Sequence, residues 1–166
     1  ALAEQNQGLR ILLVGDGERL EPFKQQAAAI NQKLGYPCVV MTGGRTDVAR
    51  LVAACDVFVG VSRAALEAMS AGKPTVLCGN AGYGGIAREE AAAANLASNY
   101  CCRGNRMGTA VELTADIQTL LTMPKEQRIA IGMEDRGIVE RDFSLNAMAQ
   151  NCETVYQLAL QPKRRV

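Results

Sequence analysis

The feature that most constrains the fold of this chain is an alternation between short apolar runs and longer helix-forming segments. Each run stops at a glycine or a polar residue, as buried strands do. The runs are continuous rather than alternating, which is typical of a parallel sheet covered on both faces. The predicted strands are Arg10 to Asp16, Pro37 to Gly43, Asp56 to Ser62 and Pro74 to Gly79, with a weaker fifth candidate at Asn99 to Gly104.

Helix-forming segments lie between and after these runs. Gly35 is placed to end the first helix, while Thr46 or Asp47, and then Ser62, are placed to cap the next two. The repeated order of strand and helix predicts an α/β, Rossmann-like doubly wound parallel sheet with helices on both faces and a helical C-terminal segment. The predicted helices are Glu18 to Leu34, a short helix ending at Ala54, Arg63 to Ala71, Ile86 to Leu96, Ala110 to Thr122, Lys125 to Glu140 and Leu145 to Leu160.

Composition narrows the classes of function. The chain has 166 residues, the length of one domain, and a net charge of +1. A surface that holds a phosphate backbone needs more positive charge, and an aromatic content of 4% offers little for bases to stack on, so we expect no nucleic-acid partner. The absence of His excludes Ser-His-Asp and Cys-His catalysis. With no CxxC pair and no Asp-x-Asp motif, we expect neither a metal nor another cofactor.

The sequence also predicts the cellular compartment of the protein. Most of the six cysteines lie in or beside apolar runs and are interpreted as reduced core thiols. No stretch reaches the roughly 20 apolar residues of a membrane span, and the first ten residues lack the pattern of a signal peptide. These observations predict a cytoplasmic protein. Because the first residue is Ala rather than Met, we expect the chain to be a piece of a longer one.

Parallel sheets bind ligands at the carboxyl ends of their strands, so the loops after the strands are the first candidates for a site. After the first strand, Gly15 and Gly17 let the backbone turn tightly and approach a ligand, although an ordinary strand-to-helix turn has the same sequence. After the second, Thr42 and Gly43 begin a glycine-rich turn whose Arg45 could meet a phosphate. A plain turn with a surface Arg is the alternative there.

The third predicted strand leads into a helix whose start has the composition of an anion site. Ser62 supplies a hydroxyl, Arg63 a positive charge and Ala64 a small side chain, at the helix end that favours anions. Glu67 follows one turn later, where a carboxylate could accept two hydrogen bonds from a ribose diol. The alternative for Glu67 is an interaction with the helix dipole alone.

The segment after the fourth strand contains four glycines between Gly79 and Gly85, more than a turn requires. Such a loop could wrap a polar ligand with backbone N–H groups or move as a lid. Gly82 and Tyr83, at its centre, are therefore candidate ligand contacts. A flexible connection is the alternative.

Several of these segments resemble the C-terminal domain of GT-B glycosyltransferases. The similar stretches are residues 13–17, 40–43, 47–51, 54–59 and 66–76. An EAMxxGKPxV pattern in the last stretch is the most specific match, and order and spacing agree from Arg10 onward. The nearest branch is the retaining family-four branch, also described as glycosyltransferase group 1.

The resemblance implies a site for a nucleotide-sugar donor, with a UDP-sugar favoured. Helix N-termini and glycine-loop amides would stabilise the leaving group without a metal. No residue of this chain is assigned a catalytic role. By matching position, Glu67 would hold the ribose, Gly15 and Gly17 would face the donor phosphates, Thr42 and Gly43 would lie beside the base, and Ser62, Arg63 and Ala64 would approach the phosphate and ribose.

The chain departs from the family pattern in two respects. The family's earlier glutamate, upstream of the ribose glutamate, is absent because the stretch between Gly60 and Ala65 is shortened. The family's Arg and Lys that clamp the pyrophosphate lie upstream of the first strand. In this chain only Arg45, Arg63 or Lys73 could replace those charges.

The resulting prediction is a single donor-binding domain over residues 1–166, a fragment of a longer two-domain glycosyltransferase of the hexosyltransferase type. An N-terminal domain outside this fragment would hold the acceptor and make any peripheral membrane contact. Alone, the fragment is expected to be inactive. The alternative is a non-catalytic Rossmann-like module that serves nucleotide binding or assembly.

Overall fold

The computed structural model describes residues 2–161. Contacts divide the chain into two compact units, the first up to Ala54 and the second from Cys55 onward. The prediction that the chain acts as one domain of a longer enzyme stays a prediction.

The described residues form five strands and eight helices. In chain order the strands are β1 Ile11–Val14, β2 Val39–Gly43, β3 Phe58–Gly60, β4 Thr75–Gly79 and β5 Gly82–Ile86. The helices are α1 Leu2–Gln5, α2 Leu20–Leu34, α3 Val48–Ala54, α4 Ser62–Ser70, α5 Glu89–Ala97, α6 Ala110–Thr122, α7 Lys125–Asp142 and α8 Leu145–Leu160.

The first unit is built on the parallel pair β1 and β2, in which Ile11 lies opposite Val39. Helix α2 is tied to β2 by the side chain of Asn31. Its amide donates to the Val39 carbonyl at 2.9 Å, and its oxygen accepts the Val39 N–H at 2.8 Å. Gly35 ends α2 in the left-handed conformation and donates its N–H to the Asn31 carbonyl, which confirms the predicted cap.

The second unit is organised around β4, which pairs in parallel with β3 and antiparallel with β5. Because successive side chains of a strand point to opposite faces, β4 contributes to two cores. Leu77 packs in one cluster with Met69 of α4, and Val76 in the other with Leu120 of α6. Helix α7 contributes to both clusters. The prediction of helices on both faces is therefore confirmed for this strand.

Strand β5 corrects the prediction of a glycine-rich loop after the fourth strand. It returns beside β4, with Val76 opposite Ile86, so the sheet of the second unit is mixed rather than parallel. A Cβ on Gly84 would lie 2.9 Å from the Leu77 Cβ. A Cβ on Gly82 would lie 2.2 Å from the Cys102 carbonyl oxygen. Glycine is thus what allows β5 to fit between its neighbours.

Three other details of the predicted elements are wrong. The fifth strand candidate is a series of turns, because Asn99, Tyr100 and Cys102 have positive φ angles that no strand adopts. The helix predicted from Ile86 begins at Glu89, since Ile86 belongs to β5. Ser62 is the first helical residue rather than the cap, and the cap residue Val61 makes no side-chain capping hydrogen bond. The three C-terminal helices match their predicted positions to within two residues.

The cysteines are all free thiols, of which Cys38 and Cys102 are buried and Cys152 is exposed. The buried pair confirms the interpretation as core thiols at those two positions. Among residues 2–161, no helix combines the length and the apolarity needed to cross a membrane.

Helix α7 crosses the turn after α4 through a close backbone contact. A Cβ on Gly132 would lie 2.0 Å from the Gly72 carbonyl oxygen, whereas a Cβ on Gly137 of the same helix would have no neighbour within 4 Å among the described residues. We expect Gly132→Ala to lower the free energy of unfolding by about 1–3 kcal/mol, because the two backbones must separate. The matched control Gly137→Ala should raise it by up to about 1 kcal/mol through helix propensity. Urea denaturation measures both, and equal effects would contradict the close contact.

Asp135 of α7 is a fully buried carboxylic acid. Neither of its oxygens has a hydrogen-bond partner among the described residues. Burial raises the pKa of Asp135 to about 8, and Glu134 acts in the same direction. The Thr75 backbone and the Arg88 charge lower this pKa only in part. The folded protein therefore keeps the neutral acid well above the pH at which a free aspartate ionises.

This burial predicts a pH dependence of stability. The unfolded chain loses the Asp135 proton near pH 4, whereas the folded chain keeps it up to about pH 8. Between those values the folded state binds more protons, so the free energy of unfolding falls as pH rises and levels off above about pH 8. We expect Asp135→Asn to flatten this slope, which urea denaturation at about pH 5 and about pH 8 measures. A variant with the parent's slope would show that Asp135 does not cause it.

Candidate functional site

The candidate site begins where β3 leads into α4. Val61 is extended, with φ −142° and ψ 169°, and α4 starts at the next residue. Gly79, at the end of β4, lies directly under Val61, since a Cβ there would be 2.5 Å from a Val61 methyl carbon. Ala65 and Met69 bury the opposite face of α4 in the core. The start of the helix is thereby fixed at the sheet edge with its outer face in solvent.

An open concavity of about 390 Å³ lies at this helix start, lined by Val61, Ser62, Arg63, Ala64 and Glu67. Four of the five were predicted from the sequence. Arg63, Ala64 and Glu67 are exposed. Neither the Arg63 guanidinium nor the Glu67 carboxylate has an ion-pair or hydrogen-bond partner within residues 2–161, so both charges are available to a ligand.

The first turn of α4 uses some of its backbone N–H groups internally and leaves others unpaired. The Ser62 N–H donates to the Tyr100 carbonyl at 2.8 Å, and the Ala65 N–H to the Val61 carbonyl at 3.5 Å. The backbone N–H groups of Arg63 and Ala64 donate to no acceptor in the described part of the chain. Two free N–H groups, the positive end of a helix and a guanidinium together suit an anion such as a phosphate.

In the first unit, the ends of β1 and β2 bring four further candidates together. The Gly15 N–H donates to the Gly43 carbonyl at 3.0 Å, and the Thr42 hydroxyl donates to the same carbonyl at 2.9 Å. Gly15 and Gly17 have φ of 142° and 137°, in the region that favours glycine, and none of residues 2–161 lies within 4 Å of a Cβ built at either position. Backbone conformation rather than crowding therefore requires glycine.

A second concavity of about 400 Å³ lies beside Gly15 and Gly17. Its walls are mainly apolar and include Phe23 of α2 and Met41 of β2. Phe23 is 45% exposed, which is unusual for a side chain of its size. The glycine loop thus has an apolar surface next to it.

Gly82 and Tyr83 lie in β5, where the protein itself occupies their polar groups. The Tyr83 N–H donates to the Arg106 carbonyl at 3.0 Å, and the Tyr83 carbonyl accepts from the Asn105 side chain at 3.0 Å. The Tyr83 hydroxyl donates to the Asp116 carboxylate. Burial and then this carboxylate raise the pKa of Tyr83. Neither Gly82 nor Tyr83 lines the concavity at α4.

Of the three cations that could replace the family's pyrophosphate clamp, Arg63 is the one at the concavity. The Arg45 guanidinium donates to the Asp47 carboxylate at 2.8 and 2.6 Å, which lowers the pKa of Asp47 and raises that of Arg45. Lys73 is half-buried between α4 and β4. Across residues 2–161, no three His, Cys, Asp or Glu side chains form a group that could hold a metal ion. That the site needs no metal stays a prediction.

Two contributors to the site were not predicted. Val61 lines the concavity, but an apolar residue at a strand end carries no chemical signature. Tyr100 contributes its backbone carbonyl, which every residue type has. Only the folded chain could therefore reveal either of them.

Comparison with known proteins identifies the family. Residues 1–121 match the sequence model of the family described as glycosyl transferases group 1. The chain belongs to the group 1 glycosyl transferases. The match confirms the resemblance to a GT-B C-terminal domain. No curated protein matches this group 1 transferase chain in sequence.

Two solved structures share the fold of this group 1 transferase chain. The crystal structure of Anabaena Alr3699/HepE in complex with UDP aligns with a TM-score of 0.66 and 24% identity, over 94% of this chain and 43% of the other. The same protein in complex with UDP and glucose aligns with a TM-score of 0.62 and 22% identity, over 94% and 42%. The chain thus spans less than half the length of these neighbours.

The exposure of the α4 candidates predicts that they do little for stability. We expect Arg63→Ala and Glu67→Ala to change the free energy of unfolding by less than about 0.5 kcal/mol. Tyr83→Phe removes a hydrogen bond to a carboxylate and should cost about 1 kcal/mol or more. Thermal or urea denaturation of the three variants tests this division. A large loss in Glu67→Ala would give that residue a structural role instead.

Proposed function

We propose that this chain is the donor-binding domain of a group 1 glycosyl transferase and binds the nucleoside diphosphate of a sugar nucleotide, with a UDP-sugar favoured. The observation that carries the proposal is the helix start at α4. Two unpaired N–H groups, a guanidinium and a carboxylate meet there in one concavity, in a chain of this family. The structures of the Anabaena protein with UDP, and with UDP and glucose, support a uridine nucleotide as the ligand class.

The groups around α4 divide into two chemistries. The N–H groups of Arg63 and Ala64 and the Arg63 guanidinium would take diphosphate oxygens, because all three are donors with positive character. Glu67 lies one helical turn further on, where its carboxylate would accept hydrogen bonds from the ribose hydroxyls. The concavity of about 390 Å³ falls in the range of small-molecule sites.

Within the first unit, the family resemblance assigns contacts to the glycine loop. The backbone at Gly15 and Gly17 would face the donor phosphates, because glycine has no side chain to keep a ligand away. Thr42 and Gly43, at the end of β2, would lie beside the base. These assignments extend the family resemblance to individual residues of this chain.

The same donors explain how transfer would proceed. Glycosyl transfer breaks the bond between the anomeric carbon and the diphosphate, so negative charge accumulates on the leaving diphosphate oxygen. The unpaired N–H groups and Arg63 would stabilise that charge without a metal. The acceptor would come from the remaining part of a longer, cytoplasmic enzyme. This chain alone would therefore bind the donor without turning it over.

Nucleotide titration followed by backbone amide NMR tests the proposal. We expect UDP, more than GDP or ADP, to shift the amides of Gly15, Arg63, Ala64 and Glu67. Glu67→Gln should weaken UDP binding about tenfold, because hydrogen bonds to a charged group are lost. The matched control Glu90→Gln, on the exposed first turn of α5, should bind UDP like the parent.

Two outcomes of this titration would count against the proposal. No amide shift with any nucleotide at millimolar concentration would favour the non-catalytic module instead. A UDP affinity that rises strongly when Mg²⁺ is added would contradict the metal-free stabilisation of the diphosphate.

A further inference from the structure

The segment between α5 and α6 holds an unusual backbone. Asn99, Tyr100 and Cys102 have φ of 53°, 55° and 56°, which places three of four consecutive non-glycine residues in the left-handed region. L-amino acids avoid that region because the Cβ crowds the following carbonyl. Such a conformation persists only where the surrounding structure holds it.

The ring of Tyr100 anchors this segment in the core, and backbone hydrogen bonds such as that from the Tyr100 N–H to the Asn95 carbonyl at 2.8 Å add to this restraint. Tyr100 is 1% exposed and packs edge-to-face on Phe143, with ring centroids 5.7 Å apart. The same cluster includes Met69 of α4 and Leu77 of β4. The buried Tyr100 hydroxyl has no hydrogen-bond partner in the part of the chain that the structure describes. The apolar ring, rather than the hydroxyl, therefore anchors the segment.

The anchored backbone contacts the candidate site directly. The Tyr100 carbonyl accepts the Ser62 N–H at 2.8 Å, and Ser62 is itself left-handed, with φ of 57°. The next two residues, Arg63 and Ala64, carry the unpaired N–H groups at the concavity. The direction of those two N–H groups follows from the conformation of Ser62, because they continue the same chain.

We propose that Tyr100 is a positioning residue for the concavity at α4. Its buried ring fixes the left-handed backbone of residues 99–102, and its carbonyl fixes Ser62 so that the Arg63 and Ala64 N–H groups face a bound diphosphate. The diphosphate in this inference rests on the proposed function. The link between Tyr100 and Ser62 does not rest on the proposed function, so the positioning role and the proposed function can fail separately.

The experiment compares three variants of the 166-residue chain. Tyr100→Ala removes the anchor, and Tyr100→Phe keeps the ring and deletes only the unpartnered hydroxyl. The control Leu120→Ala empties a fully buried position in the other core cluster of the same unit. Hydrogen exchange of the Ser62 amide is measured by NMR relative to the Leu77 amide of β4, which cancels global destabilisation. UDP affinity is measured on the same samples.

In Tyr100→Ala we expect faster relative exchange at Ser62 and a UDP affinity about tenfold weaker, as when the binding-competent conformation falls to about a tenth of the population. Tyr100→Phe and Leu120→Ala should keep the parent's values in both measurements. If Tyr100→Ala does not fold, Tyr100→Leu replaces it, because leucine keeps apolar volume without a ring. We then expect the same faster exchange at Ser62 and the same weaker UDP binding.

The outcomes separate the two proposals. Unchanged Ser62 exchange in Tyr100→Ala, or an equal loss of UDP affinity in Leu120→Ala, would overturn the positioning role and leave a merely structural one. If the parent chain binds no UDP, the proposed function fails. The positioning role is then decided by Ser62 exchange and by the Arg63 and Ala64 amide shifts, which must change in Tyr100→Ala and not in Leu120→Ala.

Discussion

The second unit depends on the burial of β4 on both faces. Thr75, Val76 and Leu77 have no exposed surface, and β3 and β5 pair with the two edges of the strand. Val76 and Leu77 lie in two separate hydrophobic clusters, in which residues of α4, α6 and α7 also pack. Because β3 pairs in parallel with β4, its carboxyl end and the start of α4 lie at the same edge as Gly79. The position of the candidate site is therefore a consequence of the core.

Part of the fold could be predicted from residue types alone, and part depends on neighbours that only the folded chain brings together. Strands β1 to β4 were predicted because continuous apolar runs that end at glycine or polar residues carry the signal themselves. Burial on both faces holds for β4 alone, since Leu12, Leu13 and Val14 of β1 are 40–43% exposed. Strand β5 contains Gly82, Gly84 and Gly85, which have no intrinsic preference for a strand. Its conformation is decided by Leu77 and the carbonyl of Cys102, which leave no room for a Cβ. A single sequence does not contain those neighbours.

The same distinction applies to the candidate site. Ser62, Arg63, Ala64 and Glu67 were predicted to lie together because charge and small size at a helix start have a chemical meaning in the sequence alone. Gly82 and Tyr83 were proposed as ligand contacts from glycine density, and the structure gives them partners within the protein. Glycine density reports backbone freedom and close approach, which a hairpin strand needs as much as a ligand loop does.

The left-handed conformation of Ser62 bears on how well the start of α4 is ordered. Gly15 and Gly17 of the first unit adopt their positive φ angles without strain, because glycine has no Cβ. At Ser62 the left-handed conformation is held by a hydrogen bond to Tyr100, whose ring is packed in the core. The strain at Ser62 is offset by burial elsewhere, so the adjacent N–H groups are ordered before any ligand arrives. Binding at α4 would then cost little conformational entropy.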